Sequence, residues 1–92
     1  MQYQGENVVE AIIAHVNQYI AKQDWQAMND EIAVIDVTMI SDLGLVAWCR
    51  SSWPVRAVLP SHEAFVRACY NEVAQRHSED TAGHWFKGLI TS

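Results

Sequence analysis

Hydrophobic residues are concentrated in the middle of this chain, and amphipathic segments flank them on both sides. The most apolar run covers residues 32–59, and it contains only four charged residues, which are Asp36, Asp42, Arg50 and Arg56. Before this run, apolar residues recur every three or four positions between residues 6 and 23, a spacing that predicts an amphipathic helix. The same spacing in residues 62–77 predicts another. We expect these two helices to cover the central run.

The segment that follows the first helix fits two different secondary structures. Asp24 is a good N-cap, and the apolar residues after it step along one face of a helix that would end near Asp36. In contrast, the many β-branched residues between positions 32 and 40 would suit a strand. A strand needs a partner, and the only other candidate is the short segment of residues 55–59. The helix is therefore the preferred interpretation.

A third helix is predicted from local start and stop signals. Ser41 is a plausible start for a helix over residues 42–52, although Gly44 inside it costs about 1 kcal/mol relative to alanine. The dipeptide Trp53–Pro54 ends this helix, because the residue before a proline is pushed out of the helical conformation. A single short turn then leads to Pro60.

The second half of the chain carries two further start signals. Ser61 is a suitable N-cap for the helix over residues 62–77. Two pairs of opposite charge spaced i,i+4 on the outer face of this helix support it, namely Glu63 with Arg67 and Glu72 with Arg76. Asp80 or Thr81 can cap a last short helix that includes Trp85.

The sequence therefore predicts an all-α fold, a small compact bundle of four or five short helices that forms a single helical domain over residues 1–92. The alternative is an α+β fold with a two-stranded hairpin formed by residues 32–40 and 55–59. Half of the residues are apolar and 18% are charged, which is typical of a packed globule. Cys49 and Cys69 lie among apolar neighbours, so we expect reduced core residues, with a single disulfide as the alternative.

The chain is acidic, with a formal net charge of -5. Seven acidic residues and a single lysine lie in residues 1–49. An acidic chain disfavours nucleic-acid binding, because phosphate contacts need a basic face, and a basic protein surface is the natural complement. No uncharged stretch approaches the ~20 residues of a membrane-spanning helix, and no basic and apolar leader opens the chain. We therefore expect a cytoplasmic protein that binds neither nucleic acid nor a membrane.

No catalytic, metal-binding or phosphate-binding motif can be identified. The nearest approach to a metal-binding set is His77, Glu79, Asp80 and His84, but a polar joint separates the two histidines and a third convergent ligand is missing. The serines have no nucleophile elbow and no base at a recognisable spacing, and the sequences around the cysteines give no catalytic signal. We expect no cofactor and no metal, and we favour a protein that is not an enzyme.

Two arginines, Arg50 and Arg56, stand inside the apolar run, where a merely solvated charge is unexpected. We expect each to pair with a carboxylate or to stack on an indole, and so to tie the central segments together. The candidate partners are Asp36 and Asp42 for pairing and Trp48 and Trp53 for stacking. The alternative is that the guanidiniums form a binding site for an anion beside an aromatic wall.

A short chain this rich in Trp, Met and Ile has more apolar surface than a thin bundle can easily cover. We therefore expect a protein–protein interaction module that self-associates as a homodimer. The candidate contact residues are the four tryptophans and the two central arginines, which are Trp25, Trp48, Arg50, Trp53, Arg56 and Trp85.

The competing function is the binding of a small anionic molecule in a pocket between the central run and the helix over residues 62–77. Trp48 and Trp53 would line this pocket, and Arg50 or Arg56 would hold the anion. The partners of the two arginines distinguish the hypotheses. Neutralisation of both by the nearby aspartates would favour the interaction module. An arginine that lacks such a partner and faces a cavity would favour the ligand pocket.

Overall fold

The computed structural model describes residues 7–90. This part of the chain contains five α-helices and two short 3₁₀ segments, joined by short turns. In chain order the helices are α1 (Val8–Lys22), α2 (Trp25–Val34), α3 (Asp42–Ser52), α4 (His62–Arg76) and α5 (Glu79–Trp85). The first 3₁₀ segment, Val37–Met39, lies between α2 and α3, and the second, Trp53–Val58, lies between α3 and α4. The described residues contain no strand. The all-α prediction is therefore confirmed, and the alternative hairpin of residues 32–40 and 55–59 is wrong.

α1 has the amphipathic form that its sequence predicts. Val8, Ile12 and Val16 follow one another at every fourth position and are all buried. The helix ends where Gln23 adopts a left-handed conformation, with φ 53°, and donates its N–H to the carbonyl of Ile20 at 3.1 Å. Within residues 7–90 no helix combines the length and the apolar character that a membrane span requires.

The segment between α2 and α3 satisfies its backbone locally, which explains why it is not a strand. α2 ends at Val34, close to its predicted end, and Ile35 is extended, with φ -61° and ψ 131°. The carboxylate of Asp36 then accepts two hydrogen bonds from Thr38, at 3.0 Å from the backbone N–H and at 2.6 Å from the hydroxyl. These bonds start the first 3₁₀ segment and replace the ladder that a strand would need.

α3 lies at the centre of the bundle and packs against both α1 and α4. It begins at the predicted residue, because the hydroxyl oxygen of Ser41 accepts the N–H of Gly44 at 3.3 Å. The indole of Trp48 is fully buried and meets one ring from each neighbouring helix edge-on. The ring centroids lie 5.8 Å away for His15 of α1 and 6.0 Å away for Phe65 of α4. The two flanking helices therefore cover α3 on two sides, whereas Val34, Met39, Leu43 and Val58 of the central run stay exposed.

The two cysteines are buried and reduced, which confirms the expectation of core residues. Cys49 lies on α3 and Cys69 lies on α4, so their contact belongs to the packing of these helices. A hydrogen bond with Cys69 and burial together raise the pKa of the Cys49 thiol, so this side chain stays a neutral thiol.

Two helix caps in the second half of the chain differ from the prediction. Ser61 has helical backbone angles and does not cap α4 with its hydroxyl, because an N-cap side chain needs an extended backbone to reach the first turn. Its N–H instead donates to Oδ1 of Asn29 on α2, at 2.8 Å. α5 begins one residue before Asp80, and its N-cap is Ser78, whose hydroxyl oxygen accepts the N–H of Thr81 at 3.1 Å.

Gly44→Ala and Gly83→Ala are expected to have opposite effects on stability, although both glycines lie in helices. A Cβ on Gly44 would stand 2.7 Å from Cγ2 of Ile40 and 3.2 Å from Cδ1 of Ile12, so the core would have to move. A Cβ on Gly83 would meet no atom within 4 Å. Gly83→Ala should therefore raise the free energy of unfolding by about 0.5–1 kcal/mol, the gain in helix propensity.

For Gly44→Ala, overpacking should outweigh that gain and lower the free energy of unfolding by about 1 kcal/mol. Urea denaturation of the two variants and the wild type measures both changes under the same conditions. A stabilised Gly44→Ala variant would contradict the close approach of α3 to α1.

Candidate functional site

The four tryptophans occupy separate places in the fold and do not form one surface. Trp48 is fully buried, so it can contact neither a partner nor a ligand. Trp25 begins α2, Trp53 begins the second 3₁₀ segment and Trp85 ends α5, and each of these is half-buried against the core. Three of the four tryptophans therefore remain available for contacts, on three different elements.

Both central arginines are exposed, and neither forms the predicted ion pair with Asp36 or Asp42. Arg50 donates from Nη2 to the carbonyl of Trp85 at 2.8 Å and so joins α3 to the end of α5. The guanidinium of Arg56 lies 4.1 Å from the centre of the Trp53 ring, and its Nη1 donates to the Trp53 carbonyl at 2.8 Å. The expectation that each arginine pairs with an aspartate or stacks on an indole is thus confirmed for Arg56, which stacks, and is wrong for Arg50, which does neither.

The aspartate expected to neutralise these arginines is used at the other end of α3. Asp42 accepts a hydrogen bond from Nη1 of Arg76 at 2.9 Å and lies 2.7 Å from Nε2 of His77. Arg76 also forms the predicted pair with Glu72, at 2.8 Å, and donates to the carbonyl of Val37 at 3.1 Å. This cluster fixes the end of α4 to the start of α3 and to the first 3₁₀ segment.

The two histidines considered as metal ligands, His77 and His84, have different surroundings. His77 binds Asp42 and packs its ring against Trp85, with centroids 5.4 Å apart. His84 is exposed in the last turn of α5. Among residues 7–90 there is no group of three or more His, Cys, Asp and Glu side chains that could hold a metal ion.

A buried Ser–His pair lies where the chain leaves α3 and enters α4, and the sequence analysis did not identify it. Oγ of Ser52 is 2.9 Å from Nε2 of His62, and both residues are buried. The Ser52 hydroxyl donates to the carbonyl of Trp48 at 2.5 Å. With the Ser52 hydroxyl donating to this carbonyl, the 2.9 Å contact corresponds to the tautomer of His62 that carries its proton on Nε2. Burial, with a smaller effect of the Arg56 charge, lowers the pKa of His62 and keeps the imidazole neutral.

This pair is packed inside the protein, with Ser52 fully buried and His62 3% exposed. A serine nucleophile needs a neighbouring base that can accept its proton. Here the Ser52 hydroxyl lies 2.5 Å from a helix carbonyl and has no exposed surface at which a substrate could meet it. The ten-residue separation crosses a turn with two prolines, so no regular spacing in the sequence could have signalled the contact.

Beside this pair, a cleft of about 410 Å³ opens between the second 3₁₀ segment and α4. Four side chains give it an apolar surface, namely Leu59, Val66, Leu89 and Ile90. Trp53 and His62 contribute their rings, and Arg56, Arg67 and Glu63 contribute its charges. The cleft therefore lies where the ligand pocket was predicted and includes Trp53 and Arg56. It includes neither Trp48 nor Arg50.

Asp42→Asn should weaken the fold at neutral pH and make it less sensitive to acid. Burial by itself would raise the pKa of Asp42, but the hydrogen bonds and charges of His77 and Arg76 outweigh it and lower this pKa. A carboxyl whose pKa is lower in the folded chain contributes stability above its unfolded pKa of about 3.9, and this contribution disappears as the pH falls through the folded pKa.

Urea unfolding of wild type and Asp42→Asn from about pH 7 to about pH 3 measures this contribution. The variant should be less stable by about 1–3 kcal/mol at neutral pH, and the difference should shrink in acid. Asp30→Asn removes an exposed carboxylate and serves as the control, with an expected change within about 0.5 kcal/mol. A difference that does not vary with pH would contradict the role of the Asp42 charge.

The comparisons with known proteins do not assign this chain to a family. Comparison with the models of protein families, with curated proteins and with solved structures gave no match to the chain. A function must therefore be argued from the surfaces of the protein itself, and the cleft beside Arg56 combines charged, aromatic and apolar side chains.

Proposed function

We propose that the protein binds a small amphipathic anion, a carboxylate attached to an apolar chain or ring, in the cleft between the second 3₁₀ segment and α4. One observation carries this proposal. Arg56 lines the cleft, and within residues 7–90 no carboxylate pairs with it. An arginine that lacks a carboxylate partner and lines a cavity is the feature expected of a ligand pocket, and it is not expected of the interaction module.

The charges around the cleft favour a negative ligand. Arg56 has five N–H donors, and one of them is used by the Trp53 carbonyl. Arg67, on the same cleft, has only a loose pair with Glu63, at 3.9 Å, and the two side chains are 60% and 85% exposed. Such an exposed pair contributes little. Two guanidiniums and one carboxylate thus surround the cleft, a local excess of positive charge in an acidic chain.

The rest of the cleft suits the apolar part of the same ligand. Leu59 and Leu89 are largely buried and present a fixed surface, and Val66 projects from α4 beside them. A volume of about 410 Å³ lies within the roughly 300–1,000 Å³ of small-molecule sites. A carboxylate on Arg56 would leave its hydrocarbon part against this apolar surface, where burial is favourable by about 25 cal/mol per Å².

The proposal is for binding without chemical change. The Ser52–His62 pair adjoins the cleft, but the Ser52 hydroxyl is fully buried and bonded to the Trp48 carbonyl, so it is not presented to a ligand. A self-associating interaction module remains a second candidate, and a different surface, formed by α1 and α3, supports it.

Titration with octanoate and with 1-octanol, followed by tryptophan fluorescence, tests the proposal. Trp53 lines the cleft and should report occupancy, and Trp53→Phe should remove most of the signal. We expect octanoate to bind at least about tenfold more tightly than 1-octanol, because a charge-assisted hydrogen bond to a guanidinium adds about 1.5–3 kcal/mol.

Arg56→Ala should remove this preference for octanoate, whereas Lys22→Ala, which deletes an exposed positive charge at the end of α1, should keep it. The free energy of unfolding should change by less than about 1 kcal/mol in both variants, because neither residue is part of a buried ion pair. Equal affinities for the acid and the alcohol, or equal effects of the two substitutions, would refute an anion site at Arg56.

A further inference from the structure

The outer surface of α1 and α3 forms an apolar groove that shares no lining residue with the ligand cleft. α1 contributes Val9, Ile13 and Asn17, at every fourth position, and α3 contributes Leu43, Val46, Ala47 and Arg50. The groove has a volume of about 530 Å³. Ile13 is 40% exposed and Leu43 is 64% exposed, although both are large apolar side chains. Apolar residues grouped in this way are typical of a docking surface.

The same surface is almost free of charge. Residues 11–21 of α1 contain no Asp, Glu, Lys or Arg. Their titratable side chains, His15 and Tyr19, both bind the carboxylate of Glu31, at 2.7 and 2.6 Å. The exposed positions of this stretch are Ile13, Ala14, Asn17, Gln18 and Ala21. The exposed face of a solvated helix is normally charged, whereas the core of a protein interface is depleted of charge.

Two exposed and opposite charges stand at opposite ends of the α1–α3 pair, and one of them, Arg50, lines the groove. α1 and α3 run in the same direction, because Ile12 adjoins the position of Gly44 and His15 adjoins Trp48. Glu10 lies in the first turn of α1 and Arg50 lies in the last turn of α3, and both are exposed. No ion pair joins either of them to another residue of the described chain.

We propose that two copies of this chain pair through the α1–α3 surface about a two-fold axis. An axis at right angles to the line between Glu10 and Arg50 places each of these charges over its opposite in the partner, so one geometry forms two interchain ion pairs. Ile13 and Leu43 of each copy then enter the groove of the other. Two chains of net charge -5 repel each other, and the neutral surface is where they approach with the least repulsion.

This pairing identifies a second copy as the occupant of the groove. A basic protein would gain nothing from the neutral centre of this surface, because the acidic residues that would attract it lie elsewhere. A surface that carries one charge of each sign around an apolar centre is complementary to itself. Self-association therefore uses no tryptophan of the predicted set, and of the two predicted arginines it uses Arg50.

Native mass spectrometry and sedimentation equilibrium over a range of concentrations test the proposal. The wild type should give twice 10.4 kDa. Ile13→Asp and Leu43→Asp should each weaken the dimer at least about tenfold, because each would bury an unpaired charge in the interface. Val34→Asp is the matched control, since Val34 is 79% exposed and lies outside the groove, and its dimer should persist. Circular dichroism confirms that each variant is folded.

Charge reversal supplies a test that a general loss of stability cannot imitate. Glu10→Arg and Arg50→Glu should each weaken the dimer by about twofold to fivefold, the range for exposed ion pairs, and the double variant should restore it. A wild type that stays monomeric at every concentration would overturn the proposal. A double variant weaker than both single variants, or an equal loss in Val34→Asp, would also overturn it.

Discussion

The burial of α3 on two opposite sides is the constraint on which the rest of the structure depends. Gly44 lets α1 approach until Ile12 would touch an added Cβ, and one turn later Trp48 fills the space between His15 and Phe65. A small residue and the largest one thus set the distance to α1 on successive turns. The remaining elements lie around this three-helix centre, and hydrogen bonds between distant residues, such as Arg76 with the carbonyl of Val37 and Ser61 with Asn29, join them to it.

Two half-buried carboxylates, Glu31 and Asp42, hold segments together, and neither pairs with the central arginines. Glu31 accepts a hydrogen bond from Tyr19 and, with some help from burial, raises the pKa of that phenol to about 12. Asp42 binds Arg76 and so fixes α4. Arg56 is left with the Trp53 ring and carbonyl, on the wall of a cleft. The Arg56 charge can therefore bind a ligand, because the acidic residues near the core lie beside other partners.

Features encoded by neighbouring residues could be predicted from the sequence, and features that depend on distant contacts could not. The bounds of α3 follow from Ser41 before it and Trp53–Pro54 after it. The partners of Asp42 lie 34 and 35 residues away, and no local pattern selects them over Arg50. The sequence analysis expected Trp48 to contact a partner or a ligand, and it is buried instead, on a helical face that it shares with other buried residues of α3. The uncharged stretch of α1 is also visible in the sequence. That it lines a groove beside α3 depends on helix packing, which the sequence does not show.

The second 3₁₀ segment forms a wall of both proposed surfaces, and this relates them physically. Trp53 lines the ligand cleft, and the adjacent Pro54 lines the groove of the proposed dimer. The fixed φ of proline and the stack of Arg56 on Trp53 restrict how this turn can move. A ligand that shifted Trp53 would therefore move Pro54 with it, and linkage requires that dimerisation change the affinity for the ligand by the same factor. If instead the turn stays fixed, the two binding energies add, and each surface can be altered without consequence for the other.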